Sequence, residues 1–482
     1  MTLFNWASVA SALAVPTLVA VLWLRLLYPA PMPGRWPILL GYGYLLGMLT
    51  VTLLLRLQAW LGWGLGYWPP TIALVAAALT ALYARRRGWI AACHGDTLPS
   101  LREAGSALRP IAVVILLLLI AVRLTGLALE IWWLPLYPWD AWTTWAVRAQ
   151  IWTHHQDLVP FVSPELWLAR PAGEAHTIRA WSYPSTVSLL AAWPTLAFGS
   201  WNDTVANLPW LGCALALLLA FYGQARLWGT TALTALLFTW LLLSLPMLDT
   251  HIALAGYADL WLAAALGLSF FALMHWARSG DWRQALLAFL LALGCLLIKR
   301  EGAVWILLFL PAILVARLRR GWLMSALAVL CVAVVVVWVN GGIHVTLPML
   351  GEVVLSPEQL QLPYVGTFTL QYSGSWEPFI KHLLIRNNWH LLPFLLPITL
   401  LATVVLVARD AGGPAQRTGL IWILSALLVV YVLFFWTEAS AWADKGTSIN
   451  RILLHFAPAL LFWMLTVWLA LLPNRPVGNQ SS

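Results

Sequence analysis

Along this chain, apolar runs of roughly 16 to 21 residues alternate with short polar stretches, close to what an α-helix needs to cross a hydrocarbon layer about 30 Å thick. Read that way, the chain holds about thirteen spans, at roughly residues 7–27, 37–57, 69–84, 110–130, 207–226, 231–247, 257–277, 284–299, 302–317, 322–340, 391–408, 419–437 and 452–472. The expected fold is an all-α polytopic membrane protein. Clustered arginines orient it: Arg85, Arg86 and Arg87 with Arg102 and Arg109, then Arg317, Arg319 and Arg320, then Arg409 with Arg417, put the loops after the third, ninth and eleventh spans inside. These anchors agree only if PSTVSLLAAWPTLAFG, residues 184–199, is not a crossing. Pro184 and Pro194 leave an uninterrupted apolar run of only about nine residues, too short to span, so this segment is expected to lie in the membrane interface.

Residues 131–206 then form one long external loop carrying interfacial helices, and 341–390 a second. The chain divides into N-terminal helices with a basic inner loop (1–109), a central unit with the first external loop (110–340), the second external loop (341–390) and C-terminal helices with a short polar tail (391–482).

Composition agrees: 62% of the 482 residues are hydrophobic, only 9% are charged, and the 33 tryptophans suit interfacial belts. The net charge of +9 gathers in short loops, with no basic patch interleaved with aromatics, so it reads as topology and not as a nucleic-acid surface. Cys93, Cys213, Cys295 and Cys331 have no paired spacing, which predicts neither disulfides nor a thiolate metal site. The start, MTLFNWASVASALAVP, lacks the positive region of a secretory signal, so the first helix is expected to be retained. Most acids fall in the external loops, where chemistry is expected to face. GYGYLLG and GWGLG read as packing or turn glycines, and GxSxG, HExxH and Walker A patterns are missing from the sequence.

Four constellations are candidates. In YPWDAWTTWAVRAQ, Pro138 suits a first helical turn, which puts Asp140 where the dipole favours a carboxylate. Helical spacing aligns Trp142, Trp145 and Trp152 on one stripe and Asp140, Thr144 and Arg148 on another, an amphipathic helix for the membrane surface. Asp140 then either caps that helix or serves as a general base or metal ligand where a lipid substrate meets an aqueous one. In PMLDTHIALAGYADLWLA, a helix cap explains Asp249, while Asp259, followed by a long apolar run, should face a polar cavity. Asp140 and Asp259 together could hold a divalent cation such as Mg or Mn, with His251 more often structural than ligating. In IKREGAVW, Lys299 and Arg300 either snorkel or bind a lipid phosphate, Glu301 orienting one of them, and Arg451 with His455 repeat the pattern at the last span. WEPFIKHLLIRNNWH reads as a solvated amphipathic helix, although Trp376, Trp389, His382, Arg386 and His390 would equally serve a sugar.

In order, WD at the head of a long first external loop, GYAD after a proline-ended span, KREG, and an arginine near the start of the last span resemble the GT-C superfamily of membrane glycosyltransferases, over roughly residues 110–475. The superfamily includes protein O-mannosyltransferases and lipid A aminoarabinose transferases, and the likeness is greatest to the Rgt-type lipopolysaccharide galacturonosyltransferases. The resemblance implies a GT-C-like bundle of about 13 helices and inverting transfer from a polyprenyl-phosphate sugar to a glycan, lipid or protein acceptor. It implies a bacterial inner membrane with the site facing the periplasm. It further implies Asp140 as catalytic acid, Asp259 as an assisting or metal-binding acid, and Lys299, Arg300 and Arg451 as donor-phosphate contacts. Arg148, His251, Arg386, His390 and His455 are further substrate-binding candidates. Two features depart from the family pattern. Three spans precede the helix that leads into the first external loop, and WDAW lacks a second acid after Asp140, which puts metal dependence in doubt. The rival classes are a transporter or lipid flippase, for which matching inverted halves would be expected, and an O-antigen ligase or polymerase relying on Arg386 and His390.

Overall fold

The structure, a computed structural model, describes residues 3–28, 32–88, 108–134, 138–169, 174–318, 320–348, 351–409, 411–446 and 448–472. Cys93, Asp96, Arg102, Glu103, Tyr137, Arg319, Asp410 and the polar tail lie outside the described residues. The chain opens with α1 (Leu3–Leu27), α2 (Arg35–Trp60), α3 (Trp68–Arg86) and α4 (Leu108–Trp133). A π-helical turn (Ala141–Trp145) runs into α5 (Ala146–His155), followed by α6 (Pro164–Ala169) and α7 (Thr186–Phe198). The central run is α8 (Asp203–Leu227), α9 (Ala232–Leu243), α10 (Pro246–Ala253), α11 (Asp259–Ser279), α12 (Trp282–Ile298), α13 (Glu301–Leu307), α14 (Phe309–Arg317) and α15 (Arg320–Val339). Strands β1 (Ile343–Leu347), β2 (Gly351–Leu355), β3 (Gln359–Leu362) and β4 (Gly366–Thr369) come next. Then follow α16 (Trp376–Ile380), a second π-turn (Lys381–Ile385), α17 (Leu392–Ala408), α18 (Pro414–Trp436), α19 (Ser440–Asp444) and α20 (Ile449–Leu471).

Seven of these helices are long and apolar enough to cross a bilayer: α1, α2, α4, α8, α11, α18 and α20. The count rises to eight if α9 and α10, bent by 67° at Pro246, form one broken span. A polytopic helical membrane protein is the architecture, and about thirteen spans is more than the described residues support. Four of the expected spans fall on shorter or interrupted helices, the bent α9 and α10 being one. Among them, α12 and α17 have 17 residues each, and α13 and α14 break at Leu308.

Two further expectations are corrected. The segment 184–199 does form a short non-crossing helix, α7, but inside the bundle and not at its surface. Eleven of its 13 residues are buried, and Trp193 donates from Nε1 to the Ala12 carbonyl of α1 at 2.7 Å. With a nearly all-apolar surface, α7 gains more from covering on all sides than from lying half-wetted. The chain is also not all-α: β1 to β4 make an antiparallel meander in strand order, Ile343 opposite Leu355 and Leu360 opposite Phe368. The sheet is tied back to the bundle where Ser373 N–H donates to Phe435 O at 2.7 Å and Tyr364 Oη donates to Leu296 O at 2.9 Å.

The core centres on α11, 18 of whose 21 residues are buried. α8, α12, α18 and α20 pack around it. Local signals start these neighbours: Asn202 Oδ1 accepts from Val205 N–H at 3.0 Å at the head of α8, and Asp281 caps α12 through Arg283 N–H at 3.0 Å. Close approach of α20 is permitted by Gly267, where a Cβ would lie 2.8 Å from Pro458.

Candidate functional site

The N-terminus of α11, the C-terminus of α12 and the N-terminus of α20 meet at one end of the bundle, beside the chain that follows α4. Each contributes a charge from that end. Asp259 is the first residue of α11, fully buried, where the helix dipole favours a carboxylate. Lys299 ends α12 in extended backbone (φ −153°, ψ 151°), and the chain turns at once into α13. Gly302 makes that turn possible, because a Cβ there would collide with the Cys295 carbonyl. The KREG motif is thus a tight connection that folds the Lys299 ammonium inward.

The contacts are dense. Asp259 Oδ1 accepts from Lys299 Nζ and from His455 Nε2, both at 3.0 Å. Asp259 Oδ2 accepts from Arg451 Nε at 2.9 Å and Nη2 at 2.8 Å. The third arm of Arg451, Nη1, donates to Asp140 Oδ2 at 2.5 Å, so one guanidinium bridges the two acids. Lys299 is also paired with Glu301 Oε1 at 2.9 Å. Trp305 Nε1–H donates to His455 Nδ1 at 3.2 Å. A tryptophan nitrogen can only donate, so Nδ1 carries no proton and the neutral imidazole presents Nε2–H to Asp259. The Arg451 guanidinium lies 4.6 Å over the ring of Tyr257, whose phenol is pushed up by burial. A fully buried carboxylate is tolerable only with such pairing, and here every lone-pair direction of Asp259 has a donor.

Asp140 differs. It stands at the start of the π-turn, its side chain one-third exposed, with Oδ2 on Arg451 and no hydrogen bond to Oδ1 among the described residues. The π-turn also breaks the expected tryptophan stripe. One extra residue in the turn buries Trp145 at 2% exposure and turns Trp142 outward at 47%. α5 packs on α7 and is not a free surface helix.

Of the expected site residues, Asp140, Asp259, Lys299, Arg451 and His455 are brought together, with Glu301 among them. Arg300 is adjacent but turns aside: Nη2 donates to Ser182 O at 3.2 Å, the guanidinium lies 5.4 Å over Tyr183, and its buried Nε has no partner. His251 is buried behind Tyr257, with Nδ1 at 2.9 Å from Met247 O. Arg148 acts as a staple. Its fork donates to the carbonyls of Ala180, Trp181 and Tyr183 at 2.5 to 2.8 Å, and burial alone lowers it to about 10. Arg386 is exposed and apart from the cluster, and His390 sits on Ser244 O at 2.6 Å, holding its loop against the end of α9. Asp249 pairs with Arg123 of α4.

The donors do not fit a divalent cation. Asp140 and Asp259 are both turned onto Arg451, which a metal would have to displace. Among the described residues, no three His, Cys, Asp or Glu side chains are grouped to hold one. Lys299 and Arg451, expected as free phosphate contacts, are engaged by carboxylates.

Sequence reading missed Arg56, Tyr183, Tyr257 and Trp305. Arg56 of α2 donates to Ser185 Oγ at 3.0 Å and Thr186 Oγ1 at 2.5 Å, and its charge, like that of Arg300, acts on the Tyr364 phenol. An arginine inside an expected span was a usable signal. Tyr257 lies within the quoted GYAD. Tyr183 and Trp305 carried no signal of their own.

Set beside family models, curated proteins and solved structures, the chain matches none.

Proposed function

We propose that this protein is an inverting membrane glycosyltransferase of the GT-C kind. It moves a sugar from a polyprenyl-phosphate donor to a hydroxyl of a glycan, lipid or protein acceptor, at the periplasmic face of a bacterial inner membrane. The observation that carries the reading is the Asp140–Arg451–Asp259 bridge, which joins the heads of two apolar helices, at residues 259 and 451, to the π-turn that begins after Asp140, where a lipid phosphate and an aqueous acceptor can meet. The bridge orients Asp140 on Arg451 through Oδ2 and leaves Oδ1 for an acceptor.

In the reaction, the acceptor oxygen attacks the anomeric carbon while Asp140 Oδ1 takes its proton. The bond from the anomeric carbon to the phosphate oxygen breaks, and its electron pair stays on the polyprenyl phosphate. That anion needs cations rather than a general acid. Arg300, with an unpartnered Nε, is the group with capacity to receive it. Asp259, Lys299 and His455 hold Arg451 rigid. No metal is required by this scheme.

The test is mass spectrometry of polyprenyl-phosphate sugars and envelope glycans in cells lacking the protein, complemented with wild type or Asp140→Asn. The expected result is accumulation of one lipid-linked sugar and loss of one glycan residue, both reversed by wild type only. Unchanged lipid pools, or full complementation by Asp140→Asn, would sink the reading in favour of a transporter.

A further inference from the structure

Around Tyr183, beside Arg148 Nε on its backbone side, three buried polar atoms have no hydrogen-bond partner among the described residues: Glu301 Oε2, Arg300 Nε and Trp145 Nε1. Arg300 lies 5.4 Å over the Tyr183 ring, and Trp145 meets its edge at 5.5 Å. The Glu301 carboxylate beside it, with burial, pushes the Tyr183 phenol up to about 12. Buried polar atoms are seldom left unpaired. One acceptor and two donors around a single ring match a ligand that both gives and takes hydrogen bonds, as sugar hydroxyls do.

Charge narrows the class. Lys299, Arg300 and Arg451 stand against Asp140, Asp259 and Glu301, three against three, while His455 is neutral. Arg56 and Arg148 stand outside this balance, since no carboxylate acts on either. A sugar bearing its own carboxylate would bury a surplus negative charge beside Glu301, whose second oxygen is already fixed by Lys299 at 2.9 Å.

We propose that Glu301, with Trp145 and Arg300, selects an uncharged, hydroxyl-bearing glycosyl group and rejects uronic acids, Glu301 Oε2 accepting from a sugar hydroxyl. This inference rests on the glycosyltransferase reading for its ligand. It runs against the uronic acid that the Rgt resemblance would suggest.

The experiment compares a short-chain polyprenyl-phosphate hexose with the matching hexuronate, using the full-length protein and Glu301→Gln in detergent. Both are read by calorimetric binding and by competitive transfer into membranes of cells lacking the protein. Ratios are taken within each variant, so a loss of folded protein cancels. Wild type is expected to prefer the hexose by at least about tenfold, and Glu301→Gln to bring the ratio near unity, because it removes the repelling charge. Equal binding of the two by wild type, or a ratio unmoved in Glu301→Gln, overturns the inference. A binding preference without transfer from either donor leaves the inference standing and overturns the transferase reading. Binding of neither overturns both.

Discussion

Replacing Arg451 by Gln and Asp259 by Asn, singly and together, tests whether the ion cluster is one mechanical unit. In the Arg451→Gln variant, Asp259, fully buried, loses two of its four donors but retains Lys299 and His455. Breaking a buried pair typically costs about 3 to 5 kcal/mol, and the retained partners put this change near the lower end, about 3 kcal/mol. In Asp259→Asn, Lys299 keeps Glu301 and Arg451 keeps Asp140, so the cost should again be about 2 to 3 kcal/mol. The double variant leaves neither charge facing an empty place. Its cost should stay close to that of one single change, giving a coupling of about 2 to 3 kcal/mol. Equilibrium unfolding in mixed micelles, followed by tryptophan fluorescence, gives the three differences. Because the pair is buried, the coupling should survive a rise in ionic strength that would erase a surface pair. Single costs that add to within about 0.5 kcal/mol would show the two groups to be independent and refute the bridge.

Asp140→Asn should lower transfer by about 10² to 10⁴-fold, the range of a lost general base, with donor binding little changed; loss of binding in place of turnover would contradict the role. Arg300→Ala should raise the donor KM more than the acceptor KM, whereas Lys299→Met should lower the unfolding midpoint first, since Lys299 is held by two carboxylates. Gly302→Ala should yield little folded protein, because its Cβ meets the Cys295 carbonyl, and normal yield would discount the tight turn. His382 predicts a pH effect. Trp389 Nε1 donates to Asn450 Oδ1, so Asn450 Nδ2 must donate to His382 Nδ1, and burial with nearby Arg386 and Lys381 lowers the His382 pKa. A depressed folded-state value means that stability is present above the unfolded pKa and is lost as pH falls through the folded one. The unfolding midpoint should therefore drop between about pH 7.5 and 5.5, less so in His382→Gln.

The apolar pattern told where the helices lie, because burial in lipid or in protein demands the same apolar residues. It could not tell the two apart, which is why α7 passed for an interfacial segment and shorter helices such as α12 and α17 for spanning ones. The β meander was partly readable in the alternating QLQL and the Gly and Pro turns around it, but the expectation of an all-α fold obscured it. Within the site, the acids stood out individually, since a carboxylate at the head of an apolar run is costly unless paired. Their partners could not be assigned. Residues 140, 259, 299 and 451 are joined by helix packing, which no local spacing encodes, and the π-turn that aims Asp140 at Arg451 shifts every later side chain by one place.

Rigidity is what the proposed transferase role and a carrier would require differently. Alternating access requires a site whose walls exchange partners as helices rock. Asp259 is fixed at the head of the most buried helix, with four donors on its two oxygens, and α20 is seated against α11 through a glycine that leaves no room for sliding. A charge cluster so closely held suits stabilisation of charge that develops in place, where donors already oriented need no reorganisation at the moment of reaction. Asp140, a third of whose side chain is exposed, is tied to the rigid set by a single arginine. If the cluster served transport, Arg451 would have to exchange Asp140 for another partner during the cycle. A cysteine pair replacing Asp140 and Tyr257, which stands against Arg451, would then block function when cross-linked. On the transferase reading, the same cross-link should leave donor binding intact and remove only turnover, because it deletes the base without disturbing Arg300.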